Sequence, residues 1–221
     1  MNSTSKRVLR QGFSLTELVV VIGTAAILGG LLAVVLTHGG KKKPSISPQQ
    51  ARARQINCVN NLKQLGLAYR IWEGANGDKF PMAVLAIKNG EDTFRCYQVM
   101  SNELSTPRIL ACPADTRTAA ENFIQLKNRN ISYFVGLDAQ DNRPQVFLSG
   151  DRNIKGPAKP RNSVLNVRPG DNITWTAEMH ENHGNVGLSD GSVQWWPNAG
   201  LQKGLQDSGD STNVWRLALP E

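Results

Sequence analysis

The residues best suited to chemistry lie in "HENHGNVGLSDGSVQWW", residues 180–196. His180 and His183, with Glu178, Glu181 and Asp190 nearby in the chain, are side-chain types that hold zinc or calcium. Two histidines three residues apart on a loop are not yet a site, because metal ligands must converge on one point. The competing reading is that they cap a surface loop leading into a hairpin. Asp190-Gly191 is a two-residue type I′ turn sequence, which accounts for Asp190 by turn chemistry alone. Folded around that turn, Ser189 faces Ser192, Leu188 faces Val193 and Val186 faces Trp195. The hairpin then buries Val186, Leu188, Val193 and Trp195 on one face, while Trp196 points the other way as an exposed contact. We therefore expect no metal and no cofactor. Nor does the chain carry a nucleophile elbow, a His-Glu-x-x-His helix or a Gly-rich phosphate loop, so we expect no catalytic residue.

Cys58, Cys96 and Cys112 are too few to frame the fold, and their odd number leaves at least one unpaired within a monomer. Cys112 precedes Pro113 and Asp115 with no base beside it, so a buried or disulfide-bonded sulfur is expected rather than a reactive one. A Cys58–Cys112 bridge between helix and sheet is one arrangement, and needs a Cα separation of roughly 4.4–6.8 Å. The net charge of +7 falls to +4 once Lys6, Arg7 and Arg10 are removed with residues 1–12. A charge that small and dispersed argues against a nucleic-acid partner.

A different kind of chemistry is posed by Glu17. It opens an apolar run in which Leu18 to Leu36 are nineteen residues without a charge. At about 1.5 Å per helical residue such a run roughly spans a hydrocarbon core of about 30 Å. A carboxylate inside a bilayer costs on the order of 2.5–3.5 kcal/mol, so it calls for a partner. A secretory signal explains neither the length of the run nor its exit, where Thr37-His38-Gly39 is a poor cleavage site.

The stretch "RQGFSLTELVVVIG" resembles the class III signal of type IV pilins and type II secretion pseudopilins. The resemblance implies cleavage by a prepilin peptidase between Gly12 and Phe13, N-methylation of Phe13, and an assembly role for Glu17. Glu17 becomes the fifth residue of the mature chain. It lies four positions from Phe13 and so on the same helical face as the new ammonium. In the family that ammonium belongs to a neighbouring subunit, so a costly charge becomes a register signal. Farther on, His180 and Asp190 are separated by nine residues and followed by Gly191, which resembles the prepilin-processing-associated H-X9-DG domain. The phrases "INCVNNLKQLGLAYRIW", "GDKFP", "ACPAD", "SYFVGLDA" and "LSGDRNI" are similar to the same family. No role is implied for His180, Asp190 or Gly191.

These residues need elements to hold them. The expected fold is α+β and pilin-like: an N-terminal transmembrane helix, then a second amphipathic helix packed on an antiparallel β-sheet. Residues 1–12 read as a leader, 13–38 as the membrane and assembly helix, 39–47 as a hinge, and 48–221 as a globular domain with the H-X9-DG region at 180–191. Ser47 as N-cap, Pro48 in the first turn and Gln50 three residues after the cap mark the second helix start. Cys58, Leu62, Leu65, Tyr69 and Trp72 then form one apolar stripe, and "EGANGDKFP" ends the helix. Beyond residue 80 we expect short strands, including "RILAC", "ISYFVGL", "QVFLSG" and "NITWTAE".

The resulting expectation is a structural subunit of a type IV pilus or type II secretion-like filament, not an enzyme. Its partners are prepilin peptidase/methyltransferase, other pilin or pseudopilin subunits and the membrane, with no small-molecule substrate. It sits as a single-pass protein of the inner (cytoplasmic) membrane with an extracytoplasmic C-terminal domain, or in an extracellular filament. The alternative is a membrane-anchored binding module for a polysaccharide, DNA or a secreted substrate. A further rival is a metal-dependent enzyme built on His180, His183 and Asp190.

Overall fold

The computed structural model describes residues 14–38 and 46–221. Gly12 and Phe13, the rest of the leader and residues 39–45 of the expected hinge lie outside the described residues. The chain divides into two units, Met1–Ile46 and Ser47–Glu221.

The first unit contains helix α1, Leu15–His38. Side chains are described along it only as far as residue 27, without that of Glu17. Leu18, Val19, Val20, Val21, Ile22 and Ile27 are exposed apolar residues. Among the described residues, no helix is long and apolar enough to cross a membrane.

The second unit is α+β with an antiparallel sheet. It opens with α2, Pro48–Ala75, whose start has the expected chemistry. The Ser47 hydroxyl accepts from the Gln50 amide at 3.3 Å and the Gln50 side chain accepts from the Ser47 amide at 3.2 Å. This reciprocal box satisfies two amides that a helix start leaves without internal partners. The whole stripe of Cys58, Leu62, Leu65, Tyr69 and Trp72 is buried.

Residues 80–110 contradict the expectation of strands. They form α3 (Pro81–Val84), a 3-10 turn at Gly90–Asp92, α4 (Thr93–Val99), α5 (Ser101–Leu104) and a 3-10 turn at Pro107–Leu110. Buried Thr93, Cys96, Tyr97, Met100 and Leu104 fall at i, i+3, i+4, i+7 and i+11, which is helical spacing. "RILAC" is likewise no strand. Thr106 caps the turn by accepting from the Arg108 amide, and Pro107 occupies its first position.

The strands are β1 (Tyr133–Gly136), β2 (Phe147–Asp151), β3 (Ile154–Lys155), β4 (Val164–Val167), β5 (Thr174–Trp175), β6 (His183–Leu188), β7 (Val193–Pro197) and β8 (Trp215–Ala218). Six form an antiparallel sheet in the order β4-β8-β1-β2-β6-β7. "NITWTAE" contributes just the two residues of β5, which pair with β3 in a separate ribbon. Every residue of β1 and β2 is buried, so neither shows the alternation of a half-exposed strand. Helix α2 lies against β2, β6 and β7, while α6 (Asn198–Asp207) lies against β5 and β7.

Candidate functional site

The H-X9-DG region is built from segments far apart in the chain. Cys58 comes from the buried face of α2, and Cys112 follows the Pro107–Leu110 turn. They form a disulfide with Cα atoms 5.3 Å apart, tying the helix to a loop rather than to a strand as expected. Asp151 ends β2, and His180 stands just ahead of β6. Glu181 and Asn182, between His180 and His183, have φ of 52° and 64°, and the His183 amide donates to the His180 carbonyl at 3.0 Å. Positive φ at both central positions makes this the type I′ turn of the region. It sets both imidazoles on Trp195: His183 stacks on the indole at 5.3 Å, and His180 meets it edge-on at 5.2 Å.

His180 is buried, with Nε2 3.3 Å from Cys112 Sγ and 3.5 Å from Asp151 Oδ2. That Asp151 oxygen accepts from the Asn185 amide at 2.7 Å and from Asn185 Nδ2 at 2.8 Å. Burial pushes the Asp151 carboxyl up to about 7, against the opposing pull of the two Asn185 donors. Burial also lowers His180 to about 4, and the charge of His183 adds to this. Both groups are shifted toward their neutral forms, and with the imidazole uncharged above about 4 their contact is not an ion pair.

Beside this cluster, Asp115 accepts from Arg152 through both oxygens at 2.8 Å, and Arg152 reaches Glu178 at 3.2 Å. Burial raises the Asp115 carboxyl, but the hydrogen bonds and charge of Arg152 outweigh it, and the net shift is downward. Cys96, the free cysteine, is buried away from all of this, and burial pushes its thiol up to about 12. It is not poised as a nucleophile.

Asp190 and Gly191 occupy the opposite end of β6. The Gly191 amide donates to the Leu188 carbonyl at 2.9 Å, Gly191 has φ of 85°, and Asp190 Oδ1 accepts from the Ser192 amide at 2.8 Å. This is a three-residue loop ending in a left-handed glycine, not the expected two-residue turn. The added loop residue shifts the register by one. Gly187 pairs with Val193, Val186 with Gln194, and Asn185 with Trp195. The tryptophans consequently exchange places. Trp196 packs against Phe147 at 6.0 Å and over Gly200 and Gly204 of α6, where a Cβ would collide with its ring, whereas Trp195 turns to the histidines. Val186 and Leu188 are buried as expected, and Val193 and Trp195 are half-buried.

With six residues of β6 at about 3.3 Å each between them, His180 and Asp190 cannot share an ion. Glu178 is engaged by Arg152, and the Glu181 backbone forms the turn. The metal set of His180, His183 and Asp190 therefore does not assemble. No local spacing marks Asp151, Asp115, Arg152 or Asn185 as a site residue. Three of them stand in phrases already noted, "ACPAD" and "LSGDRNI", which with "INCVNN" each supply a residue to the cluster. A cleft of about 330 Å³ lies next to it, lined by Arg152, Lys155, Lys159 and Glu178 among others. No aromatic side chain among the described residues lines that cleft. Gly12 and Phe13 lie outside the described residues, as does the side chain of Glu17. No protein-family model, curated protein or solved structure matches this chain.

Proposed function

We propose that the chain is a structural subunit of the pilin or pseudopilin kind. It is cut after Gly12 and methylated on Phe13, spans the membrane through residues 13–38, and joins a filament with residues 48–221 outside the cytoplasm. One observation carries the reading: glycine, phenylalanine and glutamate stand at fixed offsets ahead of nineteen uncharged residues. Glu17 is costly in lipid as a lone charge and becomes acceptable once an amine neutralises it. The reading draws support from the folded unit, where His180, Cys58, Cys112 and Asp151 are engaged in holding segments together. An exposed Trp196 would favour the binding-module alternative, and that side chain packs against Phe147 and α6 instead.

The test is the N-terminus of the protein isolated from its own cells. N-methylated Phe13 is the expected first residue, whereas a chain beginning at Met1, or beyond Leu36, overturns the proposal. Glu17→Ala is expected to leave insertion and cleavage intact and to impair incorporation into filaments.

A further inference from the structure

The sulfurs of Cys58 and Cys112 and the imidazole of His180 form a buried group of soft and borderline donors, with the Asp151 carboxyl beside them. One ligand atom each from Cys58, Cys112 and His180 lie within 4.8 Å of one another. His180 Nε2 is 3.3 Å from Cys112 Sγ and 3.5 Å from Asp151 Oδ2. Asp151 is fully buried, and its Oδ1 has no hydrogen-bond partner among the described residues. A carboxyl oxygen left without a partner in the interior costs on the order of 1–3 kcal/mol, but it is the other oxygen, Oδ2, that faces His180. While the disulfide is intact, the sulfurs are bonded to each other and offer no thiolate.

We propose that the dithiol form of this chain binds one zinc ion through Cys58, Cys112 and His180. Zinc takes thiolate sulfur at about 2.3 Å and imidazole nitrogen or carboxylate oxygen at about 2.0–2.2 Å in a tetrahedron, which sets donor atoms about 3.3–3.8 Å apart. The 3.3 Å spacing between His180 Nε2 and Cys112 Sγ already meets that requirement. Reduction frees the sulfurs to separate to the same distance. Asn185, donating twice to Asp151 Oδ2, holds that carboxyl beside the site. Because the site is interior, the ion enters as the reduced chain folds, as structural zinc does elsewhere.

Disulfide and metal exclude each other, so oxidation releases the ion. With a small-molecule disulfide RSSR as oxidant, the two thiolate sulfurs give up two electrons and join. RSSR accepts those electrons and two protons to become two RSH, and Zn²⁺ departs.

The experiment uses the full chain in mild detergent, carrying Cys96→Ala so that Cys58 and Cys112 are its two remaining cysteines. Reduced with a phosphine, it is titrated with Co²⁺ and then with Zn²⁺. Expected are one Co²⁺ per chain, a thiolate-to-cobalt charge-transfer band absent from the oxidised chain, and displacement by Zn²⁺. His180→Ala should weaken binding by more than the roughly 10–100-fold that loss of an outer-shell partner causes. Absence of the band, or unchanged affinity in His180→Ala, overturns the proposal. Should the reduced chain unfold, the readout is the near-ultraviolet circular dichroism. Zn²⁺ restoring the native spectrum supports the site, and failure to restore it overturns the site.

Discussion

The two ends of β6 carry the two halves of the H-X9-DG spacing, and they are built in opposite ways. At one end His180 is buried against a disulfide, a buried carboxyl and an indole, and every one of those contacts comes from another segment of the chain. At the other end Asp190 is exposed and accepts from an amide two residues away, while Gly191 supplies a left-handed φ. The first end joins α2, β2 and β6 into one body. The second turns the chain around. Two residues at a constant spacing need not form one site; here they bracket a strand, and the spacing measures the strand and its turns.

The contrast predicts unequal costs of damage. The largest belongs to the His180 end. Removing the disulfide with Cys58→Ala opens a loop with sequence separation 54 and should cost about 4 kcal/mol in chain-entropy terms. Denaturant unfolding measures this, and a loss below about 1 kcal/mol would show that the bridge holds nothing.

Next comes pH. Asp151, at about 7 in the folded chain against 3.8 when unfolded, makes stability fall as pH rises between about 4 and 7. His180, at about 4 when folded against 6.5 unfolded, makes stability fall as pH drops from 6.5 toward 4. The two slopes oppose each other across the same window. Asp151→Asn in the oxidised chain leaves the histidine's slope without its counterweight, and a melting midpoint followed from pH 7 to pH 4 should drop more steeply than the parent's. Parallel profiles would remove Asp151 from the account.

Gly191→Val, at the Asp190 end, meets no neighbour within 4 Å and fails through its backbone alone. A φ of 85° is strained for a β-branched residue, so a loss of about 1–2 kcal/mol is expected, well below that of Cys58→Ala. A loss equal to that of the disulfide would erase the contrast. The smallest effect should be a gain. Glu181 sits at φ 52°, and Glu181→Gly removes that strain at the cost of a looser unfolded chain, for a net change of no more than about 1 kcal/mol by thermal melting.

Signals contained within a few residues were legible in the chain. The Ser47–Gln50 box, the stripe from Cys58 to Trp72 and the cores of β1 and β2 depend on capping and periodicity, which neighbouring residues set among themselves. Residues 93–104 held a helical spacing just as local, which the short turn-flanked segments around them masked. The hairpin register was less accessible, because Asp190-Gly191 suits a two-residue or a three-residue loop, and one residue of difference decides which of Trp195 and Trp196 turns to Phe147 and α6. The cluster at His180 depends on which distant segments pack together. Cys58, Cys112, Asp151 and His180 meet because α2 lies on the sheet, and burial by the whole fold then holds Asp151 and His180 toward neutrality. No local pattern encodes that meeting, since desolvation and long-range contact are properties of the packed chain.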